Sequence, residues 1–508
     1  MKKFTFIKNA VIMTVTAFIL RGLGVLLRVF LSNKIGAEGM GLYQIVFSVY
    51  ALASTFATAG VSTAVIRIVT DEMASGTKQT VLKAFKKTLY ICMIWGLFLS
   101  IIFYYSAEFI GKNWINDVRT IPSLKILVFA LPFMSMTSCI KGYFIAYRRV
   151  SIPSEAQVLE QIVRFVLIFI IIDLFIPYGI DACCTAIIIG DVIAEMSSCT
   201  YSYIAYLKEK RRHGNAYLAK NQKNDPVLKK ALNVAGPIAL NKYLNTILRT
   251  FENMLVPECL REFSSSREKS LEQFGMLKGM AMPILFFPAS LLTTFSTLLI
   301  PEMAEAKSLG QERKVSAIAN KTLQISITLS ILIAGIFMAF PYELAELIYK
   351  DLEVGFIIYA LAPIVPFMYL ETVVTGILQG LNQQMHSLKY NIFDSVIRIS
   401  LIYLLVPQKG LNAFILIMIL SNITTSSLNI YRTLKITNTK IQWLKWIILP
   451  STAVFISIIA MTLLLKNLML PSLYYVVIGT VIISITYFAI LFVTKTLKLK
   501  DLSLSISN

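Results

Sequence analysis

The chain has 508 residues, 56% of them apolar and 15% charged, with a formal net charge of +20 and a mean hydropathy of +0.70. A soluble globular chain carries about 25% charged residues. No soluble core hides this much apolar surface, and no long polar stretch remains for a catalytic domain on an anchor. Composition therefore points to an all-α integral membrane protein. About fourteen spans of roughly 25 residues would use about 350 residues and leave short connections.

The N-terminus, Lys2-Lys3 and then an apolar run from Val11 to Phe30, has the look of a secretory leader. Arg21 and Arg28 interrupt that run and no small-residue cleavage site follows, so an uncleaved first span is expected. Apolar runs of spanning length fall near 9–32, 41–69, 84–106, 122–147, 153–177, 181–207, 229–257, 275–301, 317–340, 354–381, 384–406, 410–434, 443–466 and 472–496. Gly22, Gly24 and the Gly39–Gly41 turn would either loosen the first two spans for bending or, as most intramembrane glycines do, only allow close packing.

The connections alternate in charge. Basic ones hold Lys2, Lys3 and Lys8; Lys78, Lys83, Lys86 and Lys87; Arg148 and Arg149; the stretch from Lys208 to Lys230; Arg313, Lys314 and Lys321; and Arg432, Lys435 and Lys440. The opposite set is balanced or acidic, as in Glu343, Glu346, Asp351 and Glu353. This pattern predicts a multi-pass protein of the cytoplasmic membrane with both termini cytoplasmic. Trp443 and Trp446 then fall at the cytoplasmic interface and Trp114 near the outer one. Basic residues spent on orientation give no reason to expect nucleic acid. The six cysteines form no C-x-x-C, and His213 and His386 are predicted in loops, so no metal site or haem is expected. No P-loop, G-x-S-x-G or H-E-x-x-H is present, so an enzyme is not expected.

An internal repeat organises the chain. Pro132-Phe133-Met134 recurs as Pro366-Phe367-Met368, a shift of 234 that also carries Lys87-Thr88-Leu89 to Lys321-Thr322-Leu323, Gly142 to Gly376, Glu160 to Asp394 and Arg164 to Arg398. A shift of 221 aligns Arg21 with Lys242, Leu27 with Leu248 and Arg28 with Arg249. Six spans form each copy, an even number, so the two run in parallel, as in transporters that rock two lobes about a central site. The predicted organisation is an N-terminal lobe at 1–207, a basic cytoplasmic linker at 208–228, a C-terminal lobe at 229–434, and two further spans with a cytoplasmic tail at 435–508.

The charges inside the spans are the candidate site. Arg21 and Arg28 are two turns apart on one face of the first span, and Lys242 and Arg249 repeat the spacing on the seventh. A cation at mid-membrane is costly. Four of them around a water-filled cavity would bind an anion, and guanidinium matches phosphate oxygens, which suits a pyrophosphate. The structural alternative is that Arg28 and Arg249 snorkel to an interface, with Glu252 neutralising Arg249. Glu160 with Arg164, and Asp394 with Arg398, have the acid-before-base spacing of a helical ion pair, either fixed or broken and re-formed during motion. Asp191, Glu195 and Glu371 could bind Na⁺ or H⁺ for coupling, or the first two could pair with Lys141 or Lys242.

Leu20-Arg21-Gly22-Leu23-Gly24, Ser32-Asn33-Lys34-Ile35-Gly36-Ala37-Glu38-Gly39-Met40-Gly41-Leu42-Tyr43 and Gly60-Val61-Ser62-Thr63-Ala64-Val65 resemble stage V sporulation protein B-like and related polysaccharide-biosynthesis membrane proteins. These belong to the multidrug/oligosaccharidyl-lipid/polysaccharide exporter superfamily and are similar to MurJ-type lipid II flippases. The resemblance implies fourteen spans and export of undecaprenyl-pyrophosphate-linked sugars through a cationic cavity. It assigns phosphate binding to Arg21 and Arg28, with Lys242 and Arg249 following from the repeat. It further implies a monomer with a lipid-linked sugar substrate, membrane lipid around it, cell-wall enzymes as partners and no bound cofactor beyond Na⁺, H⁺ or membrane-potential coupling. The competing readings are a cation-coupled drug or small-solute exporter, and a non-transporting scaffold for cell-wall enzymes.

Overall fold

Long apolar runs in a bilayer can satisfy their backbone N–H and C=O groups only as helices or closed barrels, and these runs lack the alternation of barrel strands. The computed structural model describes residues 2–75, 78–212, 227–468 and 470–496, which are helical apart from short connections, with no strand among them. The linker positions 213–226, with His213, Lys220 and Lys223, and the tail 497–508 lie outside the described residues.

The helices are α1 (Lys2–Thr58), α2 (Val61–Ser75), α3 (Lys78–Phe109), α4 (Ile121–Leu127), α5 (Leu131–Ala146), α6 (Ser151–Phe175), α7 (Ile180–Arg212), α8 (Val227–Ser264), α9 (Arg267–Phe274), α10 (Met282–Phe286), α11 (Ala289–Ser308), α12 (Glu312–Ala339), α13 (Pro341–Tyr349), α14 (Glu353–Leu361), α15 (Val365–Gly380), α16 (Gln384–Thr437), α17 (Leu449–Leu465) and α18 (Ser472–Val493). Among the described residues nine helical stretches are long and apolar enough to cross a membrane, or ten if the bent pair 267–286 and 289–308 is one span, rather than the fourteen expected. Two of the missing spans lie in continuous helices broken by glycine; the expected spans 153–177 and 229–257, on α6 and α8, are not among the nine, and 275–301 falls in the bent pair. At 57 residues α1 would run about 86 Å if straight, nearly three hydrocarbon thicknesses. Gly36, at φ 67°, breaks it between the expected spans 9–32 and 41–69. The bend thus falls on Gly36, not on Gly22, Gly24, Gly39 or Gly41, because only Gly36 takes the left-handed backbone. Gly410, at φ 61°, breaks α16 in the same way.

The chain forms two compact units, Met1–Arg261 with Ser266–Gly275, and Glu262–Ser265 with Met276–Asn508. In unit 1 a core of Val65, Val69, Phe85, Ile140, Tyr143, Phe144 and Tyr206 joins α2, α3, α5 and α7. Although α8 opens the second sequence copy, it packs on α1. Thr250 donates to the Ser48 carbonyl at 3.2 Å, the Asn253 amide to Ser48 Oγ at 2.9 Å, and Thr246 meets Thr55 at 3.3 Å. Helix α9 lies against α1 so closely that a Cβ on Gly41 would stand 2.0 Å from the Leu271 carbonyl oxygen.

In unit 2, α17 and α18, which lie outside the repeat, pack on α12 through Leu332, Ala453, Met461, Ile483 and Tyr487. Trp446 faces the protein interior. The turn 444–448 carries it inward, leaving it 1% exposed beside Leu323 and Leu378, while Trp443 stays exposed. His386 falls in the first turn of α16 rather than in a loop, 3.0 Å from Arg432.

The shift of 234 is visible in three dimensions. It carries the 3₁₀ turn 128–130 and the 16-residue α5 onto the turn 362–364 and the 16-residue α15. It also preserves a close contact: a Cβ on Gly142 would meet the Ser62 carbonyl at 2.7 Å, and one on Gly376 the Ser296 carbonyl at 2.9 Å.

Gly41→Ala is expected to cost about 1–3 kcal/mol through overpacking against a backbone oxygen that cannot yield. Gly22→Ala, which meets nothing within 4 Å, serves as the control. Thermal unfolding in detergent should show a lowered midpoint for the first variant only.

Candidate functional site

The four candidate phosphate ligands all lie in unit 1. Arg21, Lys242 and Arg249 are exposed and Arg28 is partly buried. Among the described residues none of the four forms an ion pair. The face of α8 that meets α1 runs through Tyr243, Thr246, Thr250 and Asn253, so Lys242 and Arg249, each one residue earlier, sit about 100° round the helix. That rotation keeps them off the packed face. Glu252 is buried at 4% exposure, in contrast to the exposed Arg249 it was expected to neutralise.

Three acids of unit 1, Glu160, Asp191 and Glu195, converge on one guanidinium. Arg164 donates through Nη2 to Glu160 Oε1 at 2.8 Å and through Nη1 to Gln161 Oε1 at 2.8 Å. Its Nε lies 2.7 Å from Asp191 Oδ1, and Nη2 lies 4.0 Å from Glu195 Oε1. The Tyr50 hydroxyl of α1 donates to Glu195 Oε1 at 3.4 Å. Asp191 and Glu195 therefore face Arg164 of α6 rather than pairing with Lys141 or Lys242. Helical spacing explains the pairing, since Glu160 and Arg164 share one face of α6, and Asp191 and Glu195 one face of α7. Asp191 is 2% exposed and its Oδ2 has no hydrogen-bond partner among the described residues.

Unit 2 fills the equivalent positions differently. Arg398 Nη1 lies 3.7 Å from Asp394 Oδ2, and Ser421 bridges them, donating to Asp394 at 2.7 Å and meeting Arg398 at 3.2 Å. At the positions equivalent to Thr137, Asp191 and Glu195 stand Glu371, Thr425 and Asn429, and the Asn429 amide donates to Glu371 Oε1 at 2.8 Å. The buried carboxylate has moved from the α7 position to α15. Among the described residues no three His, Cys, Asp or Glu side chains are arranged to hold a metal ion, and all six cysteines are free and buried.

A further ion-pair network in unit 1 had no sequence signal. Arg267 Nε reaches Asp117 Oδ2 at 3.0 Å and its Nη2 donates to the Ile115 carbonyl at 2.7 Å. Arg119 pairs with the same Asp117 at 3.0 Å and with Glu38 at 3.0 Å. Burial alone would raise the Asp117 carboxyl. The hydrogen bonds from Arg119 and the Arg267 guanidinium outweigh it and hold the group below its ordinary value.

With this geometry in hand, comparison with known proteins is informative. The family described as "Polysaccharide biosynthesis protein" matches residues 6–307, and the one described as "MatE" matches 278–404. Stage V sporulation protein B of Bacillus subtilis (strain 168) is 25% identical over 419 residues, 81% of this chain and 80% of that protein. The lipid II flippase MurJ of the same organism is 23% identical over 78% of this chain and 76% of its own length. Among solved structures, a lipid II flippase MurJ in an inward closed conformation superposes with a TM-score of 0.73 at 13% identity, over 95% of this chain and 98% of that one. An inward-facing multidrug resistance MATE family transporter gives 0.62 at 14% identity, over 84% and 96%. The fold is thus that of the MurJ and MATE membrane transporters.

Two outcomes follow from the ion pairs. Arg164→Gln leaves Asp191 and Glu195 buried without their cation and is expected to cost about 3–5 kcal/mol, with Asp191→Asn restoring part of the loss in a double-mutant cycle of unfolding midpoints. Asp117→Asn is expected to lower the midpoint at pH 7. Because the folded carboxyl sits below its unfolded value of about 3.9, its stabilisation is fully present above that pH and lost as pH falls through the lowered folded value. The difference between variant and wild type should be flat from pH 5 to 8 and shrink only in stronger acid.

Proposed function

We propose, from the premise that the chain belongs to the polysaccharide biosynthesis protein family, that this multi-pass membrane transporter is a flippase for undecaprenyl-pyrophosphate-linked oligosaccharide or peptidoglycan precursor. It works in the cytoplasmic membrane, with both termini cytoplasmic, and serves cell-wall or spore-cortex synthesis. The observation that carries this reading is the set of cations left without carboxylates. Arg21, Arg28, Lys242 and Arg249 form no ion pair among the described residues, whereas Arg164 is enclosed by acids and Arg398 is paired with Asp394. A guanidinium maintained without an acid in a span is an unspent anion ligand, and a diphosphate matches it in charge and in paired oxygens.

In this reading the pyrophosphate pairs with Arg21, Arg28, Lys242 and Arg249, the sugar stays in an aqueous cavity and the polyprenyl tail remains in lipid along the groove of α17 and α18. Alternating access exposes the headgroup on the far side. Asp191, Glu195 and Glu371 couple the cycle to H⁺ or Na⁺, with membrane potential as the other drive. The pairs Glu160–Arg164 and Asp394–Arg398 gate it. The protein acts as a monomer beside the cell-wall enzymes, and catalyses no covalent chemistry itself.

Two observations favour a second reading, a cation-coupled exporter of drugs or small solutes: the match to the MatE family, and the oxygen of buried Asp191 that has no hydrogen-bond partner among the described residues. The two separate in reconstituted vesicles carrying a fluorescent pyrophosphate-linked lipid. Arg21→Ala should abolish translocation while leaving the protein folded and monodisperse. Wild-type rates in that variant, with loss of solute export in Asp191→Asn, would favour the exporter.

A further inference from the structure

Lys141, on α5, has no place in the cationic set described above and none in the acid cluster. It forms no ion pair among the described residues, yet it is largely enclosed and lies within electrostatic reach of Glu160 on one side and Lys242 on the other. It is the common wall of two cavities in unit 1. The larger, about 180 Å³, is lined by Thr16, Ala17, Leu20, Lys141, Ser154 and Gln157 among others. The smaller, about 60 Å³, lies between Lys141 and Glu160 and includes Ser198, whose hydroxyl has no hydrogen-bond partner among the described residues. The position equivalent to Lys141 in unit 2 is Thr375. The repeated scaffold thus tolerates a neutral side chain at this point, and the ammonium is particular to unit 1.

The larger cavity sets one ammonium in a wall otherwise made largely of Ala17, Leu20, Ile145, Val150 and Pro153. Its volume exceeds the roughly 30 Å³ share of one water several-fold, and Thr16, Ser154 and Gln157 add neutral donors beside the ammonium. Arg21 follows Ala17 by four residues, one turn further along the same face of α1. Of the lining residues, Val150 lies just before α6 and Pro153 at its start, and the neighbouring Arg149 is already paired with Glu209 at 2.6 Å.

We propose that the chamber walled by Lys141 is a phosphate subsite of unit 1, and that Lys141 is shared between a bound phosphate and the carboxylate of Glu160, so that anion binding and the charge of the acid cluster compete for one ammonium. The inference rests on the flippase reading above and deepens it, adding a binding residue and a link from the substrate to the Glu160–Arg164–Asp191 cluster.

Native mass spectrometry of the full chain with undecaprenyl pyrophosphate, undecaprenyl phosphate and inorganic pyrophosphate tests this. Lys141→Gln is expected to weaken retention of the pyrophosphate lipid about tenfold, the size of one charge-assisted hydrogen bond. Lys141→Arg should largely preserve it. Glu160→Gln, which frees the ammonium while keeping a hydrogen-bond acceptor for Arg164, should strengthen it about threefold. Folding of each variant is checked by its unfolding midpoint and elution profile. Equal retention by wild type and Lys141→Gln would overturn the subsite and leave the flippase reading standing. Retention of inorganic pyrophosphate that depends on Lys141, without retention of either lipid, would keep the subsite and overturn the flippase reading. No retention of any of the three by wild type would overturn both. Unchanged or weaker binding in Glu160→Gln would overturn the competition.

Discussion

Arg164 is a full positive charge set where water does not reach freely, and the polar part of unit 1 follows from that constraint. A guanidinium in such a place persists only if acids surround it and its donors are occupied. Glu160 and Gln161 supply this from its own helix, and Asp191 and Glu195 from the next. The cluster joins α6 to α7, and through Tyr50 it reaches α1. It also overshoots, since three carboxylates meet one guanidinium. An excess of buried negative charge favours a nearby cation, a proton or an altered position of the helices. Lys141 lies within electrostatic reach of Glu160 and forms no ion pair among the described residues.

Unit 2 meets the same constraint with less charge. Asp394 and Arg398 keep the pair with Ser421 bridging it, and Thr425 and Asn429 stand where unit 1 has Asp191 and Glu195. The backbone of the two copies is held alike, down to a glycine pressed on a serine carbonyl in each. Their polar contents have diverged. A duplicated scaffold fixes where helices cross, because close packing leaves no freedom there. It does not fix which residues carry charge, provided each buried group finds a partner. The asymmetry of charge therefore sits in unit 1, with three acids about Arg164 and four candidate cations that form no ion pair among the described residues.

Features governed by local periodicity were legible in the sequence. Hydropathy located the helices, the four-residue spacing of Glu160 and Arg164 announced their ion pair, and Pro132-Phe133-Met134 with its copy gave the repeat that α5 and α15 reproduce end to end. Features requiring two distant segments to meet were not. Nothing near Asp191 in the chain points to Arg164, and Arg267 meets Asp117 across 150 residues. The seating of α8 on α1 cuts across the sequence repeat because packing follows surface complementarity, while the repeat follows ancestry. The bend at Gly36 was hidden among five glycines, since composition does not say which one takes a positive φ. Trp446 turned inward because a short turn before α17 rotated it, a rotation that hydropathy cannot register.

Burial and partnership together separate the charges that the fold requires from those it does not. Asp191, Glu195, Arg164 and Asp117 are buried or nearly so and lie against opposite charges, and removing one partner would strand another. Their presence is explained by structure even if transport also uses them. Arg21, Arg28, Lys242 and Arg249 stand off the packed faces with no carboxylate among the described residues, and Lys141 stands in a cavity wall where its structural twin is a threonine. A cation within a span is costly unless it is paired, and in the flippase proposal the partner of these cations is an anionic headgroup, whose phosphate oxygens match guanidinium and ammonium donors.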